Sequence, residues 1–305
     1  MSKRGWLLFT AMGVIWGIPY LLIKVADEGV SVPVLVCTRT ALGALLLLPM
    51  ALRGGGLPAL KGHVRWLATF TVVEIVGPWA LLSSAEKHLP SSTTGLMVAA
   101  VPIFAALLAW LTRDGDQLTL IRWVGLAVGL AGVAVLAGPD AGHGDTLPVL
   151  EVLLTALGYA LGPWIASRKL ADLPPVAVNA VCLGAAAVIY APFAALTWPS
   201  KVPAANVLLS LAALGVICTA IAFLVFFRLI AEVGPARATV ITYVNPAVAV
   251  ALGVLVLNER LTPEIGIAFV LILGGSILAT RAGSARRART EAERNSEPVR
   301  SNLVL

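Results

Sequence analysis

Hydrophobic and polar positions along this chain alternate at the scale of whole segments, not of single helical turns. Apolar stretches of about 20 residues, the length of an α-helix that crosses the hydrocarbon core of a bilayer, recur along the chain. Ten can be delimited, at about 5–25, 32–52, 65–85, 91–111, 120–138, 148–167, 176–197, 205–227, 236–257 and 263–281. The breaks between them are short and carry turn formers: Gly54-Gly55-Gly56, Leu89-Pro90, Gly138-Pro139, Leu173-Pro174-Pro175 and Val233-Gly234-Pro235. None accommodates a soluble domain. The pattern predicts an all-α membrane protein of ten transmembrane helices. Residues 284–305, polar and rich in arginine, read as a basic, disordered cytoplasmic tail.

Composition removes the soluble alternative. Hydrophobic residues make up 59% of the 305 and charged residues 12%, too few to cover a water-exposed surface. The net charge of +6 forms no basic patch interleaved with aromatics, so nucleic acid is not an expected partner. Cys37, Cys182 and Cys218 all lie in apolar stretches, without metal spacing or a disulfide framework. The run from Lys3-Arg4 to Val25 is too long for a signal-peptide core and reads as an uncleaved first span. With ten spans and a cytoplasmic N-terminus, only Lys24, Lys87, Lys201 and Arg260 fall on the outer side. Every other Lys and Arg is cytoplasmic, apart from Arg39 within a span. Both termini are therefore expected in the cytoplasm.

The two halves repeat each other. Pro19 pairs with Pro163 and Pro102 with Pro246, each 144 residues apart, and Lys24 pairs with Arg168 in the same register. Gly132 pairs with Gly275 after a one-residue gap. Residues 1–140 and 145–283 thus read as two five-helix repeats. An odd number of spans makes the second enter the membrane from the opposite side. Inverted repeats of this kind characterise secondary transporters whose site lies near midplane between the halves.

Trp16-Gly17 in the first span, Arg39 in the second, and the block from Pro246 through Leu257-Asn258-Glu259-Arg260-Leu261-Thr262 carry a resemblance. On these residues the chain resembles the EamA-type transporters of the drug/metabolite transporter superfamily, over about residues 5–281. The resemblance implies a ten-helix carrier of a bacterial-type inner membrane. It also implies export of small metabolites such as amino acids.

Candidate site residues follow from depth and helical spacing. Pro19, Pro102, Pro163 and Pro246 each free a backbone carbonyl within a span, which suits broken helices and hinges around a cavity as well as simple kinks. Glu74 lies near midplane and Arg39 about ten ångströms from the outer end of its span. Neither is expected to face lipid. Glu74 is a proton carrier, a ligand for a substrate amine, or the structural ion-pair partner of Arg39. Trp16, Tyr20, Trp79, Met97, Tyr159, Trp164, Thr242, Tyr243 and Asn245 are expected, with Glu74, to line a substrate cavity. Trp16, Tyr20, Glu74, Tyr159, Trp164 and Tyr243 should converge near midplane. Gly125, Gly129, Gly132, Gly274 and Gly275 read as close helix packing or a homodimer face. No H-E-x-x-H, Walker A or G-x-S-x-G motif is present, so no catalytic residue, metal or cofactor is expected. Energy would come from a gradient, with protons one option. A membrane-embedded enzyme would need clustered His, Asp, Ser or Glu at one interface. A purely structural membrane protein would not need paired helix breaks or a midplane carboxylate.

Overall fold

The computed structural model describes residues 2–112, 119–138, 146–234 and 238–296, with Thr239 and residues 281–296 as backbone only. Among these residues the chain is helical and contains no strand. The first span is two helices, α1 (Lys3–Gly17) and α2 (Pro19–Ala26), and the second is α3 (Val32–Arg53). The third joins α4 (Val64–Phe70), a π-helical turn (Thr71–Val76) and α5 (Gly77–Glu86). The fourth joins α6 (Ser91–Val98) to α7 (Val101–Leu111), and the fifth is α8 (Leu120–Ala137). Then come α9 (Thr146–Lys169) and α10 (Pro175–Leu196). The eighth segment repeats the third in form: α11 (Ala205–Gly215), a π-helical turn (Val216–Ile221) and α12 (Ala222–Val233). A 3₁₀ turn (Thr239–Tyr243) leads into α13 (Asn245–Val256), and α14 (Pro263–Ser296) closes the chain.

Nine helical segments among the described residues are long and apolar enough to span a membrane. The apolar helix at Val240–Val256 is shorter. Large apolar side chains such as Leu120, Val188, Leu196 and Leu255 point outward, as a lipid-facing surface requires. Inside, α3 packs on α10, α6 on α13 and α8 on α14. Between these pairs, α5 packs on α9, while α12 packs on α1 and α11 on α2. The α8–α14 contact is a glycine contact. A Cβ on Gly125 would lie 2.5 Å from the Ala279 backbone nitrogen, and one on Gly132 would lie 2.8 Å from Ile272. Gly125, Gly132 and Gly275 are therefore used inside this chain, where backbones approach closely.

Proline breaks the spans where expected, with one exception. Pro19 starts α2 after α1 ends at Gly17, and Pro102 sits in the first turn of α7 after the Ala99-Ala100 break. Pro246 occupies the first turn of α13 after the 3₁₀ turn. Pro163, by contrast, lies inside α9, which runs through it as one helix. A proline removes one hydrogen bond, and the long apolar flanks of α9 on both sides keep the rest of the ladder intact. The backbone of α14 continues as helix to Ser296. Residues 297–305, the boundary near residue 140 and Arg237 lie outside the described residues.

Candidate functional site

Arg39 organises the interior. It lies in α3 and is 6% exposed. Its Nε donates to Thr219 Oγ1 at 3.1 Å, and its guanidinium lies 3.7 Å from the centre of the Trp79 ring. Thr219 is held in turn, because its hydroxyl donates to the Leu214 carbonyl five residues back, at 2.8 Å, within the second π-helical turn. The π turn thus points a hydroxyl at the arginine, while Trp79 supplies an aromatic face that binds the flat cation. Among the described residues no carboxylate makes an ion pair with Arg39. Of the three roles open to Glu74, the ion pair with Arg39 is not found among the described residues. Arg39 Nε is engaged by Thr219 and its face by Trp79, and the groups that act on it electrostatically include Tyr159, Cys218, Tyr20 and Glu86.

Tyr20 and Tyr159 surround this centre. Tyr20, the second residue of α2, is buried, and its ring lies against Gly95 of α6, where a Cβ would come within 3.1 Å of it. Tyr20 and Tyr159 interact electrostatically with each other and with Arg39. The Trp79 indole lies close to the Tyr159 hydroxyl. Glu74 also lies near Tyr159. It belongs to the first π-helical turn, whose end is held by Tyr190 Oη donating to the Val76 carbonyl at 2.7 Å. Its carboxylate lies directly over the Cα of Gly162, where any side chain would displace it. Glu74 Oε2 is buried and has no hydrogen-bond partner. The result is a cation and a carboxyl group that both lie near one tyrosine, beside the Trp79 and Tyr20 rings.

The other predicted residues lie elsewhere, and the six expected to converge do not all do so. Tyr20, Glu74 and Tyr159 come together. Trp16 joins a separate aromatic cluster, with ring centres 4.7 Å from Phe226 and 6.4 Å from Phe223. The Tyr243 hydroxyl shares a 2.9 Å hydrogen bond with Thr280 Oγ1 and so faces α14. Trp164 lies under Arg168, 4.6 Å from its ring centre, at the end of α9, and its buried Nε1 has no partner. Met97 is fully buried among Leu96, Ala100 and Ile103 and packs as core. Asn245 Nδ2 donates to the Ile241 and Gly13 carbonyls at 3.0 and 3.1 Å, tying the last broken helix to the first. Thr242, beside it, is half-buried and also engaged. Helical spacing placed these side chains on inward faces, but inward includes packing faces.

Three contributors were not legible as site residues. Thr219 and Tyr190 are polar side chains in apolar runs, and only the π turns and the packing of α3 on α10 bring them into play. A repeat register of 145 at this point, taking Thr71–Val76 onto Val216–Ile221, pairs Thr219 with Glu74 and would have singled it out. Glu86 ends α5 beside Lys87 and reads as an interfacial residue, yet it is 0% exposed. The Glu259-Arg260-Leu261-Thr262 turn has a mechanical task. Glu259 accepts hydrogen bonds from the Ser91 and Ser92 amides at 2.7 and 2.9 Å and caps the N-terminus of α6. Asn258, at a φ of 55°, makes the turn that aims it.

The sequence pattern of the EamA-like transporter family matches residues 3–138 and again residues 146–281. The chain is 29% identical over 272 residues to the inner membrane transporter YedA of Escherichia coli (strain K12), covering 88% of each. It is 27% identical over 298 residues to a probable terminal-alkyne amino-acid exporter of Streptantibioticus cattleyicolor, covering 94% of this chain and 96% of that one. A crystal structure of a protein 25% identical in sequence superposes with a TM-score of 0.67, over 93% of this chain and 99% of the other.

Proposed function

Because this chain belongs to the EamA-like transporter family, we propose that it is a gradient-driven exporter of amino-acid-type metabolites, working by alternating access around Arg39, Trp79, Tyr159 and Glu74. One observation carries the substrate class. A buried arginine without a carboxylate partner among the described residues and a carboxyl group with an unpartnered buried oxygen both lie near the same tyrosine. A buried charge without a counter-ion is costly. An α-amino acid supplies both missing charges, its carboxylate to Arg39 and its ammonium to Glu74. The Trp79 and Tyr20 rings offer apolar surface for its side chain. The amino-acid exporter among the relatives agrees with this chemistry.

Glu74 holds either the substrate ammonium or a proton, never both. That competition couples efflux to proton entry without an ATPase. The ten-span, inverted-repeat architecture belongs to the same proposal, with repeats at about residues 1–140 and 145–283. It is supported by the double family match and by the self-pairing of the second, fourth and fifth spans with the seventh, ninth and tenth. The third-on-sixth packing is mirrored by the eighth on the first, and the two π turns lie 145 residues apart. The Lys and Arg distribution supports a bacterial-type inner membrane with both termini cytoplasmic.

The test is counterflow in proteoliposomes, screening amino acids against their decarboxylated and N-acetylated analogues, with and without a pH gradient. Amino acids should exchange, and both analogues should lose most of their flux. Equal flux for the decarboxylated analogue would remove Arg39 from the site.

A further inference from the structure

Two carboxylates outside the proposed substrate site lie buried together at the end of the bundle remote from the N-terminus. Glu86, the last residue of α5, is 0% exposed, and both its oxygens are buried without a hydrogen-bond partner. Asp27, which caps α2, also has both carboxylate oxygens buried and unpartnered. The two lie within electrostatic range of each other, at the end of the bundle where Lys24, three residues before Asp27, reaches the Glu86 main chain. Lys24 is near both, but its Nζ donates to the Glu86 and Leu89 main-chain carbonyls, the second at 3.0 Å, and so caps the C-terminal end of α5. Lys87 also faces Asp27. Glu259, held on the α6 amides, adds a third negative charge facing Glu86, and Arg39, Tyr20 and Tyr159 face it from the interior. The nearby hydroxyl of Ser83 is buried and unpartnered as well.

Two neighbouring buried carboxyl groups that accept no hydrogen bond are far more stable when one carries a proton than when both are ionised. We propose that Asp27 and Glu86 form a proton-binding site, separate from Glu74, whose occupancy holds this end of the bundle closed. Its ligand is a proton arriving from the adjacent aqueous side. When it leaves, two like charges remain under the ends of α2, α5 and α6. Repulsion and hydration then loosen the packing of these ends. Burial, opposed by Lys87 and Lys24, pushes the Asp27 carboxyl up to about 7, which places the change near neutrality.

The proposal rests on the transporter reading only for its consequence, and its test uses no substrate. Wild-type protein in nanodiscs would be titrated from about pH 5 to about pH 9 by infrared spectroscopy, following the protonated-carboxyl band. Hydrogen exchange of residues 83–92, corrected for intrinsic rate, would be measured across the same range. The band should disappear near neutral pH, with a loss of protection of about tenfold or more. Asp27→Asn and Glu86→Gln, each made in a Glu74→Gln background that removes the Glu74 contribution, should each remove the remaining band change and keep the segment protected at high pH. If one variant does not fold, the other and the wild-type titration still decide. A pH-independent band and protection in the wild type, or a full response in either folded variant, would overturn the proposal. Failure of amino-acid counterflow with an intact titration would instead defeat the substrate reading alone.

Discussion

At the scale of the residue, Arg39 and Glu74 divide the work. Arg39 binds through a planar face on Trp79 and a directed Nε bond to Thr219, and both depend on guanidinium geometry. Arg39→Lys keeps the charge but loses the stack and the fork, so exchange should fall by about tenfold or more while the protein still folds. Counterflow per folded molecule, with yield from size-exclusion chromatography, measures it, and an unchanged rate would contradict the assignment. Glu74 has no arginine to strand. Glu74→Gln should therefore give near-normal yield, abolish pH-gradient-driven flux and weaken amino-acid exchange. Normal yield with normal coupled flux would leave Glu74 as a tolerated polar residue. Gly162 is the floor beneath Glu74, where an added Cβ overlaps the carboxylate. Gly162→Ala should reproduce the Glu74→Gln transport defect without removing the acid.

At the scale of the element, α6 begins without a side-chain cap of its own and borrows Glu259 from the other half of the chain. Burial raises the Glu259 carboxyl, but the hydrogen bonds from Ser92 and Ser91 outweigh it and hold it below its ordinary value. A depressed acid stabilises the fold above its unfolded pKa, about 4.3, and that contribution is lost as pH falls through the folded value. Glu259→Ala should cost about 1 kcal/mol at neutral pH, and the difference from wild type should shrink in acid. Thermal unfolding at several pH values checks this, and a gap that widens in acid would refute the cap. The α8–α14 contact leaves no such freedom, because a Cβ on Gly125 meets backbone. Gly125→Val should lower the melting temperature more than Gly274→Val, since a Cβ at Gly274 meets nothing within 4 Å.

At the scale of the molecule, the proposed symmetry belongs to the backbone and not to the chemistry. The π turns match, yet one carries Glu74 and the other Thr219, so the first half supplies both charges of the site. The span count decides whether this symmetry is inverted. If the shorter Val240–Val256 helix, extended by the turn before it, crosses the membrane, tags on the two termini lie on the same side. Tags at both ends should resist protease in intact cells and be cleaved together in inverted vesicles. Cleavage of one tag alone would mean an odd number of crossings.

Much of the fold was legible in the sequence, because the bilayer allows few solutions. A spanning helix needs a long apolar run, and its ends need charges and turn formers. Pro19, Pro102 and Pro246 marked real breaks because a proline inside a span always frees a carbonyl. The site was only partly legible. Glu74 and Arg39 stood out because charge in an apolar run is costly wherever it faces, and Tyr20, Trp79 and Tyr159 because they lie deep in their spans. Which inward side chains meet one another depends on helix rotation and on contacts between segments far apart in sequence. Only the tertiary structure gave Arg39 to Thr219 and Trp79, sent Trp16 to Phe226 and Tyr243 to Thr280, and buried Glu86 beside Asp27. A lipid-adapted sequence is apolar on packing faces and lipid faces alike, so hydropathy separates membrane from water but cannot separate one inward face from another.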